Sequence, residues 1–299
     1  MKAEKYVIDM LGRPIDLTNR IPCTAKQTVP IAAEDLGPRK DTAVYWLGGG
    51  GFLINARGTI LLFDPVLEMN KQEMIAETGH RMLMEYPISA TAIPRIDMVF
   101  YTHPDLDHVG PTTSEILAQR HVPRIAPARV AELLYRYGAL HEDVTICRAG
   151  QSYRVKNCEI ETIPSDHPWQ LINPAVYGKP LGKDDACGFV IRTPDGAILL
   201  PGDTRLLETH YGIPGIDLVL VDTAKCAFHL NVEGAILLCN AYESAYIIPY
   251  HYGMFDEPTI PAQENGNPQD VFQYVRNADQ RARIQAPGSP FVLYEHREA

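Results

Sequence analysis

The sequence predicts an α/β (α+β) protein in which two β-sheets are sandwiched between helices. One observation is a run of three short apolar strands, which implies an antiparallel meander: Val44–Leu47, Phe52–Ala56 and Thr59–Phe63. A glycine turn at residues 48–51 and Arg57-Gly58 connect these strands. The other observation is that later strands alternate with helical segments, a pattern that fits two sheets with helices on their outer faces.

The later elements follow from apolar runs and proline or glycine stops. Strands are predicted at Ile96–Tyr101, Glu159–Ile163, Gly188–Arg192, Ala197–Leu200, Leu218–Val221, Tyr246–Pro249 and Phe291–Tyr294. Helices are predicted at Thr112–Gln119, Ala128–Tyr137, Val232–Ala241 and Pro268–Asn277. Residues 67–95 are Met-rich and favour an inserted helix and loop that covers a site. Residues 1–40 are expected to form an N-terminal extension, and residues 41–299 one domain.

The composition limits the classes of partner. The chain has 299 residues and a formal net charge of −10, and this acidity disfavours binding to nucleic acid or to an anionic membrane surface. No stretch approaches the roughly 20 apolar residues that span a bilayer. The first residues lack the apolar core of a signal peptide, so we expect a cytoplasmic protein with no membrane partner. The six cysteines are scattered and are expected to be reduced and mostly buried.

The segment His103-Pro-Asp-Leu-Asp-His108 directly follows the buried strand predicted at Ile96–Tyr101. Alternate residues of an extended segment point the same way, so His103, Asp105 and Asp107 can converge on one point. Two imidazoles and two carboxylates are costly to bury without compensation, and a divalent metal provides it. The alternative is a solvated, charged loop, but the position at the end of a strand favours the metal site.

Three later predicted strands also end in turns that carry a residue able to bind metal. They are followed by Asp166-His167, by Gly202-Asp203 and by His251. A lone histidine is usually structural and Pro-Gly-Asp is a common turn, so each of these taken alone would be ordinary. Their succession after the HPDLDH segment instead indicates one metal centre built from four strand ends.

HPDLDH is similar to the HxHxDH signature of the metallo-β-lactamase superfamily, and the positions of His167, Asp203 and His251 are similar to those of the remaining ligands. The resemblance covers roughly residues 44–299 and implies a four-layer αββα metallo-β-lactamase sandwich. Within the superfamily the chain most resembles the L-ascorbate-6-phosphate lactonase branch. The stretches that carry this similarity are YWLGGGGFLI, RIDMVFYTHPDLDHVG, DDACGFVIRTPDGAILLPGDT and YIIPYHYG.

The resemblance implies a hydrolase with two divalent metal ions and a bridging hydroxide as the nucleophile. It assigns His103, Asp105 and His167 to the first ion, Asp107, His108 and His251 to the second, and Asp203 to both. It also implies that Asp107 orients the nucleophile and carries the proton, that the substrate is a small molecule, and that the chain forms a homo-oligomer. Asp105 replaces the second histidine of the signature, and a carboxylate there favours manganese or iron over zinc.

Several questions stay open at the level of sequence. The substrate is expected to be a small lactone, including one on a phosphorylated sugar acid, while phosphodiester hydrolysis and a di-iron redox role are alternatives. His229 is equally consistent with a pocket residue and with a structural one. Tyr250 and Tyr252 either contact substrate or pack as aromatic residues. Anion binding is open for Lys183, Arg205 and Lys225, and a surface position is expected for His80, His121, His141, His210 and His296.

Overall fold

Two mixed β-sheets stacked face to face form the centre of the structure. The computed structural model describes residues 23–68, 81–256 and 266–293, together with the backbone of two short N-terminal strands. In chain order the described strands are β1 (Val7–Ile8), β2 (Pro14–Ile15), β3 (Thr42–Gly48), β4 (Gly51–Ala56), β5 (Thr59–Phe63), β6 (Arg81–Met82), β7 (Met98–Phe100), β8 (Arg124–Ala126), β9 (Val144–Ile146), β10 (Ser152–Val155), β11 (Cys158–Pro164), β12 (Cys187–Thr193), β13 (Gly196–Leu200), β14 (Ile216–Asp222), β15 (Tyr246–Tyr250), β16 (Phe255–Asp256) and β17 (Pro290–Val292).

Helices cover the outer face of each sheet. The described α-helices are α1 (Pro111–Gln119), α2 (Ala128–Arg136), α3 (Pro174–Tyr177), α4 (Asn231–Ala241), α5 (Pro268–Phe272) and α6 (Ala278–Arg281). Short 3-10 helices lie at Ala33–Leu36, Ala90–Ala92, His141–Asp143, Trp169–Ile172 and Glu208–His210. No helix in the described ranges is long and apolar enough to cross a membrane.

Strand direction determines where the loops meet. The seven-stranded sheet has the order β17-β3-β4-β5-β7-β8-β9, and β5, β7, β8 and β9 run parallel. The six-stranded sheet has the order β10-β11-β12-β13-β14-β15, and β13, β14 and β15 run parallel. Strand β11 is antiparallel to β12, which is antiparallel to β13, so β11 also points the same way. Carboxyl ends of co-directional strands share one edge of a sheet, where ligands commonly bind.

Three apolar clusters correspond to the interfaces between four layers. Residues of both sheets, including Phe52, Phe100, Phe189 and Ile248, fill the central cluster. A second cluster lies between the seven-stranded sheet and helices α1 and α2, and a third between the six-stranded sheet and helices α4 and α5. The alternation of side chains along each strand sends successive residues to opposite clusters. The predicted αββα sandwich is therefore confirmed.

The predicted strands are confirmed with shifts of at most two residues at their ends, although Tyr294 lies outside the described residues. Strands β8, β9 and β10 were missed because they are three or four residues long. The helix predicted at Pro268–Asn277 was wrong in extent: α5 ends at Phe272, and Asn277 adopts a left-handed φ of 53° before α6 begins. In the predicted helix and loop at 67–95, residues 69–80 lie outside the described part, and the rest contains β6 and a 3-10 turn.

The described residues 23–40 lie against the rest of the described structure. The backbone N–H groups of Val29 and Ile31 donate to the carbonyls of Pro287 and Pro87, both at 2.9 Å. The Asn55 side-chain amide donates to the carbonyls of Asp35 and Gly37, also at 2.9 Å. This segment is therefore fastened by backbone hydrogen bonds rather than by a strand of its own.

Candidate metal centre

All seven residues predicted as metal ligands lie together at one edge of the two sheets. The segment after β7 supplies His103, Asp105, Asp107 and His108, and the ends of β11, β13 and β15 deliver His167, Asp203 and His251. The first set consists of His103, Asp105 and His167, and the second set of Asp107, His108 and His251.

In the first set, a carboxylate lies between two imidazoles. Asp105 Oδ2 is 3.3 Å from His103 Nε2 and 3.3 Å from His167 Nε2. Both histidines are almost fully buried. Burial alone disfavours a charged Asp105, but the two histidines outweigh it and hold the pKa of this carboxyl well below its usual range.

In the second set, two imidazoles face each other. His108 Nε2 and His251 Nε2 are 3.1 Å apart, and Asp107 Oδ2 lies 3.7 and 3.9 Å from these two nitrogens. His251 has a left-handed φ of 57°, a backbone conformation that is strained for a residue with a side chain. The Asp107 side chain is 31% exposed, which makes it the most accessible carboxylate of the two sets.

Asp203 lies between the sets. Its Oδ2 atom is 3.1 Å from His108 Nε2, 3.3 Å from His251 Nε2 and 3.8 Å from His103 Nε2. Burial would raise the pKa of Asp203, but His251 and His108 outweigh this effect and hold it well below its usual value.

The neighbouring carboxylates raise the pKa values of three histidines in the two sets. Burial by itself would lower their pKa values, but Asp105 raises the pKa of His167 to about 9, and Asp203 raises that of His251 to about 9. The pKa of His108 is raised well above its ordinary value by Asp203, Asp107 and other carboxylates. In the metal-free protein, protons on these histidines therefore balance the negative charge of the carboxylates, a role that a bound cation would otherwise have.

The chemistry of this donor set fits divalent metal ions. His103 Nε2 and Asp203 Oδ1 are buried without a hydrogen-bond partner, an arrangement that is costly for polar atoms unless a ligand meets them. Within the described ranges, the ion pairs of Asp105, Asp107 and Asp203 are with histidines, and none is with lysine or arginine. Two groups of three residues could each hold an ion, because one ligand atom from each residue lies within 4.8 Å of the other two. The groups are His103, His167 and Asp203, and Asp107, His108 and His251.

Sequence reasoning missed Asp64, which follows β5 and has a left-handed φ of 43°. Asp64 Oδ2 lies 2.8 Å from His108 Nδ1 and accepts the Thr102 hydroxyl at 2.5 Å, while Oδ1 accepts the Thr102 backbone N–H at 2.7 Å. A carboxylate on the outer ring nitrogen fixes a ligand histidine in orientation and tautomer. The available signal was an apolar strand ending in aspartate, the same signal that identified Asp203.

Sequence reasoning also missed Asp222, the last residue of β14. Its Oδ2 atom is 2.6 Å from Nδ1 of His229, the residue left open by the sequence. His229 belongs to the centre, because its ring lies 4.7 Å from that of His167 and its Nδ1 is 3.7 Å from Asp203 Oδ2.

The other open residues have structural contacts. Tyr252 stacks on Trp46 at 4.7 Å and donates to the Gln285 carbonyl, while the Tyr250 ring meets Phe52 edge-on in the core. Arg205 forms an ion pair with Asp166 and Lys225 forms one with Asp270, whereas Lys183 is exposed.

His121 and His141 are exposed as predicted, and His80 and His296 lie outside the described residues. The surface position predicted for His210 was wrong: it is fully buried, with Nε2 on the Pro164 carbonyl and Nδ1 on the Leu207 N–H.

Close approach of the glycine turn limits the space around the second set. A Cβ on Gly50 would lie 2.2 Å from His108 Cε1, so the backbone at this position leaves no room for a side chain. The same turn accepts the Trp46 indole N–H at the Gly49 carbonyl, at 3.0 Å.

All six cysteines are free, and five of them are buried.

Comparisons with known proteins agree with this geometry. Residues 59–252 match the family model described as the beta-lactamase superfamily domain. A probable L-ascorbate-6-phosphate lactonase of Escherichia coli O139:H28 is 23% identical over 258 residues, which cover 74% of this chain and 72% of the relative.

Solved structures share the fold at low sequence identity. A possible metal-dependent hydrolase of Veillonella parvula DSM 2008 superposes with a TM-score of 0.65 at 18% identity, covering 84% of this chain and 99% of the other. The di-iron β-hydroxylase CmlA of Streptomyces venezuelae superposes with a TM-score of 0.60 at 16% identity, covering 85% of this chain and 54% of the other. The chain therefore belongs to the beta-lactamase superfamily and is a metal-dependent hydrolase of the metallo-β-lactamase fold.

Proposed function

We propose that this hydrolase is a lactonase that opens a small lactone, with the first and second sets and Asp203 as its metal ligands. The observation that carries the proposal is the position of Asp203 Oδ2, within 3.8 Å of a histidine Nε2 from each set. A shared carboxylate suits two adjacent ions rather than one. The similarity to a probable lactonase supports the choice of a cyclic ester as the substrate class.

Bound divalent ions would lower the pKa of a water toward about 7 and polarise the ester carbonyl. We assign to Asp107 the catalytic proton transfer, because it is the most exposed carboxylate of the two sets and lies within 3.9 Å of both histidines of the second set. From this position its carboxylate accepts a proton from the attacking water and returns it to the leaving alkoxide. Asp64 holds His108 in place during these steps.

Asp105 favours manganese or iron as the resident metals, because a carboxylate is a harder ligand than imidazole. The carboxylate of Asp105 is also the reason that a di-iron redox role is the second candidate function. Phosphodiester hydrolysis is the other alternative, since two metal ions serve attack on phosphorus equally well. We also retain as predictions the homo-oligomeric state, the cytoplasmic location and the division into a 1–40 extension and a 41–299 domain.

The decisive experiment measures metal content and activity on the same preparation. We expect about two ions per chain, mainly manganese or iron, together with hydrolysis of γ- and δ-lactones that exceeds hydrolysis of bis(4-nitrophenyl) phosphate. The Asp107→Asn variant should keep its fold and lose activity, whereas the Asp184→Asn variant, changed at an exposed aspartate, should keep both. Faster turnover of the phosphodiester, or reducible iron with no hydrolysis, would select one of the other candidates.

A further inference from the structure

His229 is the histidine of the centre that belongs to neither ligand set. Its ring centroid lies 4.7 Å from that of His167 and 5.5 Å from that of His251, so it sits between one member of each set. The residue is 7% exposed and precedes helix α4. This position places the imidazole next to both sets.

Asp222 fixes this ring. The His229 Nδ1 atom donates to Asp222 Oδ2 at 2.6 Å, and Asp222 Oδ1 accepts the Ala224 backbone N–H at 2.8 Å. Since Asp222 is fully buried and both of its oxygens are engaged, the carboxylate cannot turn away from the ring. The other ring nitrogen, Nε2, is then the one left to meet a ligand. No hydrogen bond to Nε2 is present within the parts of the chain that the structure describes.

A role as an additional metal ligand fits this geometry poorly. The nitrogen that approaches Asp203 Oδ2, at 3.7 Å, is Nδ1, whose proton is already directed at Asp222. Each ligand set offers three side chains and shares Asp203, so four protein donors would be available to each metal ion without His229. His229 therefore keeps a ring nitrogen, Nε2, that the metal ions do not require.

We propose that His229, oriented by Asp222, forms a hydrogen bond with a substrate hydroxyl close to the scissile ester, so that the preferred substrates are hydroxylated lactones. This inference rests on the proposed lactonase function and specifies its substrate class. A hydroxyl both donates and accepts and so pairs with an imidazole nitrogen, while an unsubstituted aliphatic ring leaves Nε2 without a partner. A site that is built to bind a hydroxyl discriminates strongly against analogues that lack one.

Two six-membered lactones test this specificity in the metal-loaded enzyme: D-glucono-1,5-lactone, which carries ring hydroxyls, and δ-valerolactone, which has none. The wild type should prefer the hydroxylated ring. The His229→Leu variant should raise KM for gluconolactone by about tenfold, the effect of one lost hydrogen bond, and leave the kinetics of δ-valerolactone nearly unchanged. The His229→Gln variant should recover part of the loss, because its amide can still form a hydrogen bond with a hydroxyl.

The controls separate substrate recognition from support of the metal centre. Metal content by mass spectrometry and Tm should stay at wild-type levels in both His229 variants and in His121→Gln, a change at an exposed histidine. Loss of metal in His229→Leu, or an equal loss of activity on both lactones, would overturn the inference. Preference of the wild type for δ-valerolactone would also overturn it while leaving the lactonase function standing.

A binding measurement tests the inference without turnover. Gluconate should raise the Tm of the metal-loaded wild type more than pentanoate does, and His229→Leu should remove that difference. If the wild type hydrolyses neither lactone, the proposed function fails, and this binding comparison still decides whether His229 recognises hydroxyl groups. Equal shifts with both acids would contradict the inference.

Discussion

The two ligand sets meet at Asp203 but differ in their chemistry. In the first set Asp105 separates His103 from His167, so the anionic oxygen lies at the middle of the set. In the second set the two imidazole nitrogens are 3.1 Å apart and the carboxylate of Asp107 lies to the side. One centre therefore contains a carboxylate-centred position next to a nitrogen-centred position.

The sets also differ in how they are supported. His108 is held by Asp64, a buried carboxylate, whereas the outer nitrogens of His103 and His167 lie 2.9 Å from the Thr102 hydroxyl and the Phe228 carbonyl, which are neutral groups. A carboxylate partner raises the basicity of a ligand histidine more than a neutral acceptor does. We therefore expect the two positions to differ in the metal that they prefer. Four predictions test this contrast.

The largest effect is expected where the sets are joined. Replacing Asp203 with alanine removes the oxygen shared by both sets, so kcat/KM should fall by about 10³-fold or more and metal content should fall below one ion per chain. Mass spectrometry and lactone kinetics measure these losses, and Asp184→Ala serves as the exposed control. Full metal content in the Asp203 variant would show that the two sets bind independently.

A smaller loss should be confined to the second set. The Asp64→Asn variant replaces the carboxylate that holds His108, so metal affinity at that set should fall about 10- to 100-fold while the first set keeps its ion. Competition with a chelator resolves the two affinities. The Asp143→Asn variant is a matched control, because Asp143 faces the exposed His121 at 3.1 Å. An equal loss at both sets would contradict the difference in support.

A change of metal preference, without loss of metal, should follow from altering the first set. The Asp105→His variant replaces its central carboxylate with imidazole, so the preference for zinc over manganese should rise about tenfold at that position only. Loading with equimolar manganese and zinc, followed by elemental analysis, measures this ratio. An unchanged ratio would mean that Asp105 does not determine the metal.

The smallest effect is a pH dependence of the metal-free protein. The pKa values of His167 and His251 are raised to about 9 from 6.5, chiefly by Asp105 and Asp203 against the effect of burial. Raised folded-state values stabilise the fold fully below pH 6.5, and this contribution is lost as pH rises through 9. The Tm of the metal-free protein should therefore fall by several degrees from pH 6.5 to 9, and bound metal should flatten the curve. An equal slope with metal present would exclude these two histidines as its cause.

Particular residues show how much of the site the sequence could predict. His103, His167, Asp203 and His251 were found because each follows an apolar run, and such runs report buried strands well. The same rule applies to Asp64 and Asp222, which were missed because a single aspartate in a strand-ending turn is commonplace.

The fold was predicted where strands are long enough to show a pattern. Three-residue strands such as β8 and β9 carry too few positions for a period to emerge, and tertiary packing decides their conformation. The burial of His210 follows from the neighbouring Pro164 carbonyl, a contact 46 residues away in the chain. Contacts of that range depend on the completed fold rather than on local sequence.

The residues of the centre are far apart in the sequence, and this separation bears on when the centre forms during folding. The Nε2 atoms of His108 and His251 that face each other belong to residues 143 positions apart in the chain, on loops that follow strands of different sheets. Closing a loop of that length is entropically unfavourable until the two sheets have docked. The centre should therefore be among the last features to assemble, and capture of metal would report that the chain has reached its native topology.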